Sequence, residues 1–262
     1  MYREILNDLE KWKDKARRKP LILTGVRQCG KTYIVNEFAQ NSFESYVYVN
    51  FESEETLSAI FDYDFDVNRI IKELERHFEA EIIPGKTLLF FDEIQECTRA
   101  ITSLKYFCEQ IRELHIVCAG SLLGVALKKK QISFPVGKVN RLQLYPMSFK
   151  EFIIANDRAD LIDTFKEWST DREIPKLYDA PMAELLEAYY IVGGMPEAVK
   201  TWIETHDYAE VEEVQNEILD DYADDFSKHA PLTDVLKIRW IWDSVPVQLA
   251  KENNKFIFSH VK

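Results

Sequence analysis

The alternation of apolar and polar positions divides the chain into short periods. Ile5, Leu6, Leu9 and Trp12 recur three to four residues apart, which predicts an amphipathic helix over residues 2–18. Short apolar runs follow: PLILTG from Pro20, SYVYVNFE from Ser45, TLLFFDE from Thr87 and HIVCAGS from His115. Each is too short for a core helix and reads as a strand, and the uniformly apolar run from Thr87 reads as one buried on both faces. NRLQLYP from Asn140 reads as a fifth strand. Between these runs, KTYIVNEFAQ (Ile34, Val35 and Phe38 inward), residues 67–80 and SLKYFCEQIREL carry the helical period. Strands alternating with helices at this spacing predict an α/β fold, a parallel sheet with helices on both faces.

The pattern changes after Pro146. From Ser148 onward nearly every segment reads as helix, with breaks expected at Pro175, Pro181, the GGMP turn from Gly193, and Pro231. The expected partition is a core over 1–146, a helical lid-like region over 147–205 and the start of a further helical domain over 206–262. The closing KFIFSHVK reads as a strand or a helix entry, and suggests a piece of a longer protein.

Apolar residues make up 46% of the 262 positions, enough for a sizeable core. The formal net charge of −12 argues against broad binding to nucleic acid or an anionic membrane. Cys29, Cys97, Cys108 and Cys118 have neither CxxC spacing nor matching histidines, so they read as reduced thiols of a cytoplasmic protein. His77, His115, His206, His229 and His260 share no ligand spacing. The charged N-terminus is no signal peptide, and no run of about 18 apolar residues predicts a membrane span.

GVRQCGKT, Gly25 to Thr32, fits G-x-x-x-x-G-K-[ST] between a predicted strand and a predicted helix. Gly25 and Gly30 are expected to turn the backbone with positive φ and let it approach a phosphate. The amides of Val26, Arg27, Gln28 and Cys29 and the helix start from Lys31 to Tyr33 direct positive charge at an anion. Lys31 reaches the β- and γ-phosphates, and Thr32 offers a hydroxyl to Mg²⁺. Asp92 ends the apolar LLFF run, at the edge where open α/β sheets bind ligands, and is the second candidate for the metal shell. Glu93 is a candidate general base for an attacking water. Taken alone, the Asp92–Glu93 pair also reads as a helix cap.

GVRQCGKT, FFDEIQ, CAGSLLG, FPVGKVNRLQLYPMSFKEF and GGMPEAV together resemble the prokaryotic AAA-type P-loop ATPases related to the AAA+ and STAND groups, over nearly the whole chain. The resemblance implies a three-layer α/β/α sheet of the additional-strand, catalytic-glutamate type, with HIVCAGS between the strands of the P-loop and of Asp92. It implies ATP and Mg²⁺ as ligands and a sensor role for Ser121, which also fits as the N-cap of LLGVALKK. Where relatives carry Gly-Arg this chain has Gly137–Lys138, so the charge-stabilising arginine of phosphoryl transfer is left to Arg141, replaced by Lys138, or absent. After the core the family has a helical region and a domain of unknown function, and no well-defined physiological substrate. Here that domain's start, a helix over Leu232–Asp243, a tight turn at Pro246 and a short helix over Val247–Lys251, resembles the opening of a winged helix.

Three further patterns weigh toward structure. EVEEVQNEILDDYADDFSK reads as a solvated helix face with Val211, Val214, Ile218, Leu219 and Tyr222 inward, more than as a metal site. KWKDKARRK reads as a solvated face opposite Ile5, Leu9 and Trp12 more than as a DNA contact or a steering patch for ATP. GGMPEAV reads as a turn with Pro196 opening a helix. The function expected is Mg²⁺-dependent ATP hydrolysis that moves an unknown protein partner or a C-terminal effector domain. A slow nucleotide-gated switch and a DNA-associated ATPase are the alternatives, and an oligomer with a shared site is left open. No guanine-reading NKxD pattern is present, which favours ATP.

Overall fold

The computed structural model describes residues 1–120, 134–166, 176–230 and 232–250. Among the described residues the sheet has five strands: β1 (Leu21–Gly25), β2 (Ser45–Asn50), β3 (Thr87–Asp92), β4 (His115–Gly120) and β5 (Asn140–Leu144). Their order is β2-β3-β4-β1-β5 and every neighbouring pair is parallel. β4 therefore separates β1 from β3. All six residues of β3 are buried, as a central strand covered on both faces requires.

Residue parity along the strands sorts the core into two layers. Leu21 and Leu23 of β1, Leu88 and Phe90 of β3, and Val117 and Ala119 of β4 pack with α1 (Ile5–Lys13) and α2 (Lys31–Ser42). Ile22, Leu89, Phe91, Ile116 and Cys118 point the other way, into α3 (Val67–Phe78) and α4 (Thr98–Gln110). The four cysteines are free and buried. Asp92 continues the parity of Leu88 and Phe90, which directs it to the α2 side of the sheet.

α1 is shorter than the expected 2–18. It ends at Lys13 because the chain turns back there: the Trp12 indole donates to the Lys19 carbonyl at 2.9 Å, and Arg18 donates to the carbonyls of Arg112 and Glu113 at 3.1 and 2.9 Å. Part of the basic run thus binds the chain after α4. The helical period alone does not reveal this, because the acceptors lie about ninety residues away.

His115 opens β4 inside an aromatic box, its ring 5.9 Å from Trp12 and 4.8 Å from Phe43. It is 6% exposed and its Nδ1 has no partner. Burial, and then the nearby Arg18 guanidinium, push its pKa down to about 4. The folded state holds this imidazole neutral where the unfolded chain binds a proton near pH 6.5. Its contribution is therefore complete above pH 6.5 and is lost as pH falls toward 4, by about 3 kcal/mol. Denaturant titrations at pH 7 and pH 4.5 are expected to show this difference, and His115→Phe to remove most of it.

The chain divides into two compact units, Met1–Val199 and Lys200–Lys262. After the sheet, α5 (Phe149–Ala155) starts from a capping box: the Ser148 hydroxyl accepts the Glu151 N–H while the Glu151 carboxylate accepts the Ser148 N–H. α6 (Ala159–Lys166), α7 (Lys176–Val192) and α8 (Pro196–Thr205) follow. The expected break at Pro181 does not occur, because Pro181 lies inside α7. The carbonyl it leaves without a donor belongs to Leu177, which is 76% exposed and open to water. The break at Pro175 lies outside the described residues. Pro196 does open a helix. Two further helices are α9 (Tyr208–His229) and α10 (Leu232–Leu249), and the break expected at Pro231 lies outside the described residues.

The second unit corrects two expectations. α10 runs unbroken through Pro246, so the helix, turn and short helix of a winged-helix opening are not formed. Pro246 is exposed, and the carbonyl it leaves without a donor belongs to Trp242. On α9, Val211 and Ile218 are buried, while Leu219 is 47% exposed. The inward line runs on to Tyr222 and Phe226, whose rings lie 5.8 and 5.3 Å from Trp242 of α10. The acids fall on the other face, and no group of three or more acidic, His or Cys side chains among the described residues could hold a metal. No described helix is long and apolar enough to cross a membrane.

Candidate active site

The loop from Val26 to Gly30 joins β1 to α2. Gly30 has φ 90, where an L side chain is strained, so its glycine is required for the turn. Gly25 is needed for a different reason from the one expected. It has no positive φ; a Cβ there would lie 2.5 Å from the Leu144 carbonyl oxygen of β5 and 2.9 Å from Cys29 Sγ. Gln28, φ 61, is left-handed without being glycine. Such strain, of order 1 kcal/mol, persists where the surroundings over-determine the backbone.

The first intrahelical bond of α2 runs from the Ile34 N–H to the Gly30 carbonyl at 3.0 Å. The amides of Lys31, Thr32 and Tyr33 precede it and form the electropositive end of the helix. Lys31 is only 7% exposed, and its Nζ donates to the Gly25 and Val26 carbonyls at 3.1 and 2.8 Å. Two of its three donors hold the loop, which leaves one for a ligand.

Asp92, 2% exposed, sits opposite. Its Oδ2 accepts the Thr32 hydroxyl at 2.7 Å and the Tyr48 hydroxyl at 3.0 Å, and its Oδ1 accepts the Glu93 N–H at 3.0 Å. Asn50 donates to the Tyr48 oxygen at 3.1 Å. Burial first, with the Asp92 charge adding to it, pushes the Tyr48 hydroxyl up to about 12, so it remains a donor. Glu93 is half-buried and left-handed, φ 45 and ψ 44, and its Oε2 accepts the Gln95 amide. Burial raises its carboxyl above the ordinary range, the Gln95 bond opposes that rise, and the charges of Asp92 and Lys31 push in opposite directions.

The structure thus gathers Gly25 to Tyr33, Asp92 and Glu93 at one edge of the sheet. Within the loop, Val26 and Tyr33 are exposed, Arg27 and Gln28 are half-buried, and Cys29 turns its thiol inward under β5. Arg141 is not brought to this edge. It pairs with Ile22, three residues before Gly25, and its guanidinium lies 4.4 Å from the Phe134 ring centroid. Lys138 pairs with Glu109 at 2.8 Å. Ser121 lies outside the described residues, although β4 ends at Gly120 between β1 and β3. Tyr48, Asn50 and Gln95 are additions to the motif residues. The alternation of SYVYVN, which puts Tyr48 and Asn50 on one face, is the sequence signal for the first two.

A model of the AAA domain matches residues 17–153, from before β1 into α5. The chain belongs to the AAA domain family. Residues 183–262 match a domain of unknown function. The fold of this AAA protein is similar to that of a Walker-type ATPase of Pyrococcus abyssi, with a TM-score of 0.52 and 16% identity over 91% of this chain and 76% of that one. An Aeropyrum pernix ORC1 protein in complex with DNA matches at 0.43 and 16% identity over 94% and 72%. A STAND protein of Pyrococcus horikoshii with a tetratricopeptide repeat sensor matches at 0.41 and 14% identity over 93% and 37%. No curated protein matches this AAA protein.

The donor set fits a nucleotide with Mg²⁺. The loop is a glycine cradle with a buried ammonium, and the oxygens of Thr32 and Asp92 are hard donors 2.7 Å apart. Two protein oxygens suit Mg²⁺, which keeps waters and phosphate oxygens as its remaining ligands.

Proposed function

We propose that this AAA protein binds ATP with Mg²⁺ and hydrolyses it, turning nucleotide state into movement of a partner or of its own C-terminal domain. The observation that carries the reading is the meeting of Lys31, anchored on the loop carbonyls, with the Thr32–Asp92 pair across the edge of the sheet. Lys31 and the loop amides would hold the β- and γ-phosphates. Thr32 and Asp92 would hold Mg²⁺, which supplies charge neutralisation on the transferring phosphoryl group. Tyr48 orients Asp92. Glu93 would take the proton of the attacking water. The position of β4 between β1 and β3 and the acid following Asp92 agree with the additional-strand, catalytic-glutamate class.

One observation favours a second reading, a switch that binds nucleotide and turns over rarely. The Glu93 carboxylate accepts the Gln95 amide on one oxygen, and that bond lowers the basicity left for a water. A DNA-associated role has the net charge of −12 against it.

The test is phosphate release from ATP with and without Mg²⁺, across a range of protein concentrations. Release that requires Mg²⁺ is the expected result. A specific rate that rises with concentration would show that a neighbouring copy completes the site. Failure to bind ATP or ADP at millimolar concentration would overturn the reading.

A further inference from the structure

Arg3 is a buried charge outside the motifs. It is 4% exposed, and its guanidinium meets three acceptors from three separate stretches of chain. Nη1 donates to the Cys29 carbonyl in the loop at 3.1 Å, Nη2 to the Tyr145 carbonyl just past β5 at 2.5 Å, and Nε to Glu151 Oε1 at 3.3 Å. Glu151, 5% exposed, is fully engaged as well: Oε1 also accepts the Glu4 N–H at 2.7 Å, and Oε2 accepts the Ser148 N–H at 2.9 Å. The residue that caps α5 is therefore the counter-ion of the arginine that grips the loop.

The geometry has a consequence for the loop amide that follows. A trans peptide points its C=O and the next N–H in opposite directions. Drawing the Cys29 carbonyl inward onto Arg3 turns the Gly30 N–H away from Arg3. A planar fork with several fixed donors suits this task, because one flexible ammonium cannot hold three acceptors in set directions.

We propose that Arg3 is a positioning residue of the nucleotide site: it orients the Cys29–Gly30 peptide so that its N–H serves the phosphate, and through Glu151 it ties that peptide to α5. The proposal rests on the nucleotide reading of the loop. It makes the start of the helical region sensitive to the state of the loop, and the loop sensitive to the helical region.

The test compares wild type with Arg3→Lys and with the double variant Arg3→Met/Glu151→Gln, which leaves no unpaired buried charge. Two measurements are made on variants whose melting temperature stays close to that of wild type. The first is thiol alkylation mapped by mass spectrometry. Cys29 lies under the loop and Cys118 in the middle of the sheet, both fully buried. In the double variant Cys29 is expected to react at least about tenfold faster while Cys118 stays protected, because only the loop opens. The second is calorimetric titration with ADP and Mg²⁺, where affinity is expected to fall about tenfold in the double variant and less in Arg3→Lys. Cys29 and Cys118 reacting in step, or unchanged ADP affinity in the double variant, would overturn the proposal. Wild type that takes up no ADP would overturn the nucleotide reading instead, and the alkylation result would still decide whether Arg3 holds the loop.

Discussion

Replacing Glu93 by Gln is expected to lower phosphate release by about 100- to 10,000-fold, the range for loss of a general base, while ATP affinity stays within about threefold of wild type. The substitution keeps the shape of the side chain and removes its ability to take a proton. Affinity is expected to persist because the phosphate-facing groups, the loop amides and Lys31, are untouched. Glu93 suits the role by position and by environment. It follows the last residue of β3, on a left-handed turn that sets its carboxylate beside Asp92, and burial raises its proton affinity toward the working range of a base. Phosphate release and equilibrium titration, run on both proteins, separate the two readings of function. If wild type and variant bind ATP equally and release phosphate equally slowly, Glu93 is not a base and the switch reading stands.

The loop and the carboxylate strand were legible because their signals are local. GVRQCGKT is a contiguous pattern, and the apolar run ending at Asp92 announces a central strand. Parity then does what spacing cannot. Leu88 and Phe90 face α2, so Asp92 must too, and the Thr32 contact follows although 60 positions separate the two residues. What stayed hidden was set by contacts between distant parts of the chain. Arg3 reads as one charge in a charged N-terminus, and only the folded chain shows Glu151 beside it, 148 positions away. The need for glycine at position 25 was legible, but its cause was not, since the obstacle is a carbonyl of β5. Pro181 and Pro246 misled for the opposite reason. A proline removes one donor, and a helix that keeps its other bonds can run on past it, as both of these do. Leu219 shows the same limit of periodicity: a helix of 22 residues has more apolar positions than its buried line takes in.

Replacing Lys31 by Met is expected to weaken binding of ATP with Mg²⁺ by about 100- to 1,000-fold, equivalent to about 3 to 4 kcal/mol, as expected when one partner of a buried, hydrogen-bonded charge pair is removed. Lys31 is 7% exposed and already held in place by two carbonyls of its own loop, so little ordering remains to be done when a phosphate arrives. The unbranched methionine fills the stem's volume, and of the two carbonyls it leaves, the one on Val26 belongs to a residue 45% exposed and within reach of water. The melting temperature of the apo variant is therefore expected to stay within a few degrees of wild type, which separates lost affinity from lost fold. Lys31→Arg is a sharper control. It keeps the charge, yet its planar fork is too wide for a slot built around a point-like ammonium, and it is expected to recover only part of the affinity. Calorimetric titration of the three proteins with the ATP analogue AMP-PNP and Mg²⁺ decides the matter. Affinity in Lys31→Met within about threefold of wild type would mean that the phosphates do not rest in this loop, and the roles given to Thr32, Asp92 and Glu93 would lose the substrate that relates them.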